Sequence, residues 1–271
     1  MAEKPDLRRI LVALDSGERS ASALEEAARL AAGMEAELVG LFIEDSELLA
    51  AASLPVTRLL SGHEGRLGAL DSALVQRAYR IWSAELRKNL EAVAARWQVR
   101  CSFQVARGAV AEELLSQAGE RDLLAVETDR RQRRGRGAAA VQLVAERARC
   151  SVFLMQRRAY GRRPVAVLFE GAEPALAVGR SVARIYHADL VVLALGEDAV
   201  AAESEDPLRT VLEGESPRTR LERLPDPTAE AIAEILRRFA PGVVVVQRKG
   251  AFAAAAKSAL EQFDCSLLMV G

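Results

Sequence analysis

The side chains best placed for chemistry stand where apolar runs stop. Ile10-Leu11-Val12-Ala13-Leu14 runs into Asp15-Ser16-Gly17, and Val165-Ala166-Val167-Leu168-Phe169 runs into Glu170-Gly171. Ligands of open α/β sheets bind outside the carboxyl ends of the strands, where the strand order reverses. Asp15 and Ser16 are therefore candidate contacts, and the stretch 127–139 is the second place to look. It holds Thr128 and a basic run in which Arg130, Arg131, Arg133, Arg134 and Arg136 are five arginines in seven residues. Guanidinium groups hold phosphate by charge and by paired N–H donors. The same cluster suits RNA, DNA or an acidic protein, with affinity that falls as salt rises. The plainer reading is a solvated loop in an arginine-rich chain. No aromatic residue interleaves with the arginines, so base stacking is not indicated.

Several familiar sites are disfavoured. Asp15-Ser16-Gly17-Glu18-Arg19-Ser20 has one glycine, and matches neither G-x-G-x-x-G nor the G-K-[ST] of a P-loop. His63, His187, Cys101, Cys150 and Cys265 show no metal-ligand spacing. The three cysteines read as buried thiols without a disulfide. His187 closes a helical stretch, where a cation complements the helix dipole. Trp82 and Trp97 lie at helical spacings and read as packing residues. An enzyme needs acid–base groups converging at one strand end, and the carboxylates here are scattered.

The elements that must position these residues occur twice. AELVGLFIE (36–44) has its counterpart in ADLVVLALGE (188–197), and AVAEELLSQAGERDLLAV (109–126) in TAEAIAEILRRFAPGVVVV (228–246). CSVFLM (150–155) is matched by CSLLMV (265–270). Matches in the same order point to duplication. Runs apolar at every position suit strands covered on both faces. Strands are expected near 9–14, 37–43, 99–105, 122–127 and 151–156, then near 164–169, 189–195, 219–224, 242–247 and 265–270. Helices are expected near 19–33, 68–98, 109–120 and 138–149, then near 173–187, 227–239 and 251–263. Leu70, Leu74, Ala78 and Ile81, then Leu86, Leu90, Val93 and Trp97, mark the long helix. Asp226 should cap the helix near 227, with Pro227 at its first position. The acidic segment 198–217 is short for a crossover and implies a lost second helix. The fold class is α/β, two doubly wound parallel-sheet domains in tandem, residues 1–157 and 163–271, joined by a polar linker. The closing strands of the two halves should pack together, since an exposed apolar edge invites aggregation.

Composition bounds the rest. The 271 residues are half hydrophobic, with 37 basic against 38 acidic residues and a net charge of −1. That length suits two domains. No global field favours nucleic acid or a membrane, so any such attraction is local. No run of eighteen apolar residues exists to span a bilayer. The opening MAEKPDLRRILVALD has charges where a signal peptide has its apolar core, so a cytoplasmic protein is expected.

ILVALDSGERSASALEEAARLAAGMEAELVGLFIED (10–45) resembles the opening of a universal stress protein domain. RGAVAEELLSQAGERDLLAVET (107–128) is similar too, with Gly108 as the glycine that precedes the family's third helix. AERARCSVFLM (145–155) resembles the close of the domain, although the family usually has Cys-Pro at Cys150-Ser151. The resemblance covers residues 8–156 and, more faintly, 163–271. It implies the adenine-nucleotide-hydrolase-type fold, and an internal pseudo-dimer of the two halves.

It also implies a nucleotide site, with Asp15 in the position of the acid near the adenine and Glu170 as its counterpart. Family members that bind ATP carry G-x-x-G, nine residues, then G-S or G-T, which form a backbone nest for phosphates. Here the final pair falls on Ala138-Ala139 and the earlier glycines near Ala125 and Thr128. In the second half the region reads Gln247-Arg248-Lys249-Gly250-Ala251-Phe252-Ala253. The expectation is a non-enzymatic stress-response binding or regulatory module with a degraded site. Asp15, Ser16, Gly108, Thr128 and the arginines at 130, 131, 133, 134 and 136 are its candidate contacts. No cofactor is certain, ATP or another nucleotide is the candidate ligand, and the partner is a protein or a polyanion. The alternative is a nucleotide-binding protein or hydrolase of the same fold using Asp15 and the arginine-rich loop.

Overall fold

A computed structural model describes residues 7–15, 20–54, 58–60, 67–69, 71–128, 136–156, 163–171, 173–195, 218–224, 228–250, 252–254 and 265–271. Ser16, His63, the run from Arg130 to Arg134 and the acidic segment 198–217 lie outside the described residues, as do the linker 157–162 and most of the expected helix near 251–263.

The first half runs β1 (Arg9–Leu14), α1 (Ser20–Met34), β2 (Glu37–Asp45), α2 (Ser46–Ala52) and a hairpin of β3 (Arg58–Leu60) and β4 (Leu67–Ala69). Then come α3 (Ser72–Trp97), β5 (Cys101–Gly108), α4 (Val110–Gln117), β6 (Asp122–Thr128), α5 (Arg136–Arg147) and β7 (Ser151–Gln156). The second half runs β8 (Val165–Phe169), α6 (Glu173–Tyr186), β9 (Leu190–Leu195) and β10 (Thr219–Leu224). It closes with α7 (Ala229–Phe239), β11 (Val243–Gln247) and β12 (Ser266–Val270).

Ten of these strands form one sheet in the order β10-β9-β8-β11-β12-β7-β6-β1-β2-β5. Each half has the order third, second, first, fourth, fifth. Pairing is parallel within each half, and β12 meets β7 antiparallel, Leu268 opposite Phe153. The two half-sheets thus join through their closing strands. Two hydroxyls pin that seam from opposite ends. Ser266 Oγ accepts the Gln156 N–H at 2.9 Å, and Ser151 Oγ accepts the Gly271 N–H at 3.3 Å.

The alternation of the strands divides two cores between the faces. Ile10, Val12 and Leu14 of β1 belong to one core, which extends to α1, α3 and α6, whereas Leu11 belongs to the core on the other face, which extends to α4, α5 and α7. Burying one such side chain contributes about 1.5–3 kcal/mol, so strands covered on both faces carry much of the stability. Across the seam, α1 and α6 touch. Arg29 Nη2 donates to Ile185 O at 2.9 Å, and its guanidinium lies 4.7 Å from the Tyr186 ring centroid.

Three details correct the sequence reading, at α3, α7 and Cys101, and His187 stands at the end of α6 as expected. Leu86, Leu90 and Val93 of α3 face the core as expected, but Leu74 and Ile81 are exposed, and Val75 and Tyr79 are buried in their stead. The helix therefore buries a stripe one residue away from the apolar one at its start. Thr228 caps α7, its side chain accepting Ala231 N–H at 3.2 Å, where the sequence suggested Asp226; Asp226 and Pro227 lie outside the described residues. A threonine hydroxyl at this spacing satisfies an orphan donor of the first turn directly. His187 follows α6 with φ 51°, its N–H donating to Arg184 O. It turns the chain in the left-handed region, as Glu35 does after α1 with φ 57°. Cys101 is half-buried, because edge strand β5 has a neighbour on one side alone; Cys150 and Cys265 are buried, and none of the three forms a disulfide.

Candidate functional site

The strand order reverses between β1 and β6, because the chain leaves β1 toward β2 and later returns to β6 on the other side. The carboxyl ends of these strands form the crevice in which such sheets bind ligands. β1 and β6 pair with Val12 opposite Ala125. Three residues further on, that register sets Asp15 opposite Thr128. Asp15 is exposed, and Thr128 is half-buried, its hydroxyl donating to Met155 O at 3.2 Å. That bond ties the end of β6 to β7 and fixes the floor of the crevice.

Gly108 ends β5 opposite Asp45 of β2. It stands two strands from β1, roughly 10 Å away at the usual strand spacing. A Cβ here would lie 2.5 Å from Glu113 Oε1 and 2.8 Å from its Cγ. Gly108 therefore makes room for the Glu113 side chain of α4, a packing role within its own half. Arg136 is the first residue of α5, and Ala138-Ala139 lie within that helix's first turn. Where the resemblance implies a glycine-based phosphate nest, the backbone is already helical. Of the candidate contacts, the crevice brings Asp15 and Thr128 together; Gly108 lies apart, and Ser16 with Arg130, Arg131, Arg133 and Arg134 falls outside the described residues.

The neighbouring acids are engaged in holding the rim. Asp45 Oδ1 accepts the N–H groups of Glu47 at 2.8 Å and Leu48 at 3.3 Å, capping α2. Glu44 Oε2 takes Arg107 Nε at 2.8 Å and Nη2 at 2.6 Å. The Tyr79 phenol packs edge-on against Phe42, 5.7 Å between centroids, and burial pushes its pKa up, with Asp45 and Glu44 adding to the rise. Sequence reading missed this cluster. Its one legible signal was Asp45 before Ser46-Glu47-Leu48-Leu49, an acid ahead of an amphipathic turn.

The second half repeats the geometry with a different occupant. Glu170, at the end of β8, sends Oε1 to the backbone N–H of Phe252 at 2.6 Å. The turn before it closes with Gly250 N–H on Gln247 O at 3.2 Å. A Cβ on Gly250 would lie within 2.5 Å of Glu170 Cδ, so only glycine lets the carboxylate in. The space beside β11 is filled by the chain's own anion.

No family model and no curated protein matches this chain. Solved structures do. A universal stress protein from Archaeoglobus fulgidus DSM 4304 superposes with a TM-score of 0.67, covering 99% of this chain and 98% of its own at 12% identity. The chain has the universal stress protein fold. A putative universal stress protein from Pseudomonas aeruginosa UCBPP-PA14 gives a TM-score of 0.58 at 16% identity, over 97% and 93% of the two chains. The cytoplasmic domain of a prokaryotic cation chloride cotransporter gives 0.53 at 12% identity, over 97% and 95%.

Within this universal stress protein fold, no helix among the described residues is long and apolar enough to cross a membrane. No cluster of His, Cys, Asp and Glu among them is arranged to hold a metal ion.

Proposed function

We propose that the protein is a non-catalytic stress-response module of the cytoplasm, a tandem universal stress protein with a degraded nucleotide site. Its first half takes an anionic ligand at the crevice between β1 and β6, and its second half takes none. The observation that supports this reading is the structural commitment of three strand-end acids outside the first crevice. Glu44 pairs with Arg107, Asp45 caps α2 and Glu170 accepts Phe252 N–H, so each serves as a fixed structural anion. General acid–base catalysis needs a group free to exchange its proton with substrate.

Ligand affinity is then assigned to the arginines at 130, 131, 133, 134 and 136, together with Asp15, Ser16 and Thr128. Charge without a backbone nest favours phosphate-rich molecules over adenosine. ATP, another nucleotide or a longer polyanion fits that chemistry. The fold's occurrence in universal stress proteins supports the stress-response assignment.

The experiment has two arms. Mass spectrometry of small molecules released from freshly purified protein should yield phosphate-bearing species in substoichiometric amounts. Incubation with ATP should give no hydrolysis above the buffer rate. Turnover abolished by Asp15→Asn would instead establish the hydrolase alternative.

A further inference from the structure

Among the described residues the sheet has two open edges, β10 and β5, and they differ in charge. β10 carries Arg220, Glu222 and Arg223, and Glu222 pairs with Arg238 of α7 at 3.4 Å. Charges of this kind keep an edge strand from pairing with another chain. β5 runs over eight residues, and its one charged side chain, Arg107, is held by Glu44 of β2. It contains no proline, and Val105 on it is 48% exposed. This edge lacks the usual protection.

The backbone of β5 is set to take a further strand. Leu38 N–H donates to Arg100 O at 2.9 Å, and Leu38 stands opposite Cys101. Successive residues of a strand turn their backbone groups to opposite sides, so Cys101, Phe103, Val105 and Arg107 turn theirs to the open edge. An antiparallel copy of the same strand, related by a two-fold axis at Gln104, sets Cys101 opposite Arg107 and Phe103 opposite Val105. All four residues of each copy then exchange N–H and C=O groups in pairs. The side chains agree with that register. Val105 meets the partner's Phe103, and a β-branched residue beside an aromatic one is a favourable cross-strand pair.

Charge on the covering helix follows the same symmetry. The Arg87 guanidinium of α3 lies 5.2 Å from the Phe103 ring centroid. Burial raises the Cys101 thiol pKa, and the Glu91 carboxylate is near enough to add to the rise. Arg80 stands two turns before Arg87 on the same flank of the helix, about 10 Å further toward the carboxyl end of β5. Arg80, Arg87 and Glu91 are all exposed. The flank of α3 above the edge thus runs from positive to negative, and a two-fold axis reverses that order in the partner. Glu91 then faces the partner's Arg80. The two α3 helices come to lie about two strand spacings apart, roughly 10 Å, which is a helix-packing distance.

We propose that a second copy of this chain docks on β5, edge to edge and antiparallel, to form a two-fold dimer with one continuous sheet. The molecule already uses such a joint internally, where β12 meets β7 antiparallel. A two-fold contact uses the same patch on both copies and is closed, and the charged β10 edge opposes growth at the far ends. The proposal rests on the β5 edge and not on the crevice reading above.

The test is sedimentation velocity of the full-length protein over a range of loading concentrations. Wild-type protein should sediment as a dimer that dissociates on dilution, and a thiol reagent should label Cys101 more slowly as concentration rises. Val105→Pro removes an outward N–H that the pairing with β2 does not use, and should abolish the dimer. Glu91→Arg, at an exposed position, sets like charges face to face and should raise the dissociation constant about tenfold or more. Adding Arg80→Glu to it should restore the dimer. Arg223→Gln, on the β10 edge, should leave the constant unchanged. The proposal is overturned if wild-type protein is a monomer at every concentration. It is overturned equally if Glu91→Arg dimerises as wild type does, or if Arg80→Glu fails to rescue it. A chain that stays monomeric yet binds a synthetic extended peptide, with binding lost in Val105→Pro, would give the edge to a foreign strand and overturn the second-copy assignment.

Discussion

The carboxylate of Glu170 accepts the backbone N–H of Phe252 at 2.6 Å, across the carboxyl end of the second half's sheet. Open α/β sheets take ligands at the carboxyl ends of their strands, and here a side chain of the protein occupies that end. A hydrogen bond to a charged acceptor contributes about 1.5–3 kcal/mol. Glu170→Ala should lower the unfolding free energy by that amount in urea. Gly250→Ala should cost a comparable amount, because its new methyl overlaps the carboxylate. Unchanged stability in both variants would remove the contact from the account.

The two seam hydroxyls are unequal, and the difference is measurable. Ser266 is fully buried and accepts Gln156 N–H at 2.9 Å, whereas Ser151 is half-buried and accepts Gly271 N–H at 3.3 Å near the chain end. Removing a buried acceptor leaves its donor unsatisfied, at about 1–3 kcal/mol. Ser266→Ala should therefore destabilise by about 1–2 kcal/mol and Ser151→Ala by less than half of that. The reverse order in equilibrium unfolding would contradict the assigned seam.

Much of this architecture was legible. Apolar runs such as Val243-Val244-Val245-Val246 and Val152-Phe153-Leu154-Met155 suit strands covered on both faces, and they fell where expected. What escaped was set by tertiary contact. Leu74 and Ile81 had the right period, yet Val75 and Tyr79 won the core, with Tyr79 packed edge-on against both Phe42 and Trp82. The crevice was half legible: an acid after β1 gave Asp15, whereas Gly108 owes its place to Glu113, eight-residue α4's own side chain. Glu170 was identified as Asp15's counterpart, but its bond to Phe252 depends on a turn whose shape no local pattern announces.

Glu26 gives the protein a pH dependence of definite sign. It is buried in α1 near the seam, and its Oε1 has no hydrogen-bond partner. Burial raises its pKa above the ordinary 4.5, against smaller opposite pulls from Tyr186 and Arg29. The native state therefore binds this proton more tightly than the unfolded chain. Stability falls as pH rises from about 4.5 through the raised native value, and the loss persists above it. Glu26→Gln should raise the melting temperature at neutral pH and flatten that segment of the pH profile. A lower melting temperature at neutral pH would contradict the assignment.

The thiols should separate by accessibility. Cys150 and Cys265 are 0% and 2% exposed, and burial raises the Cys150 pKa, so it stays a thiol. Half-buried Cys101 is also raised by burial, but its edge strand lets reagent approach. Under native conditions Ellman's reagent should label Cys101 first and slowly, with the other two reacting only after denaturant is added. Rapid labelling of all three in the native protein would contradict the buried closing strands.

The central claim is that the first-half crevice binds by charge and the second half is silent. Calorimetric titration of the full-length protein with ATP, adenosine and tripolyphosphate, at low and high salt, tests it most directly. The account predicts weak ATP binding with at most one site per chain, none for adenosine, tighter binding of tripolyphosphate, and loss of all of it at high salt. Replacing the arginines from 130 to 136 should abolish the signal. Salt-insensitive ATP binding at micromolar affinity or tighter, dependent on Asp15 and indifferent to those arginines, would contradict it.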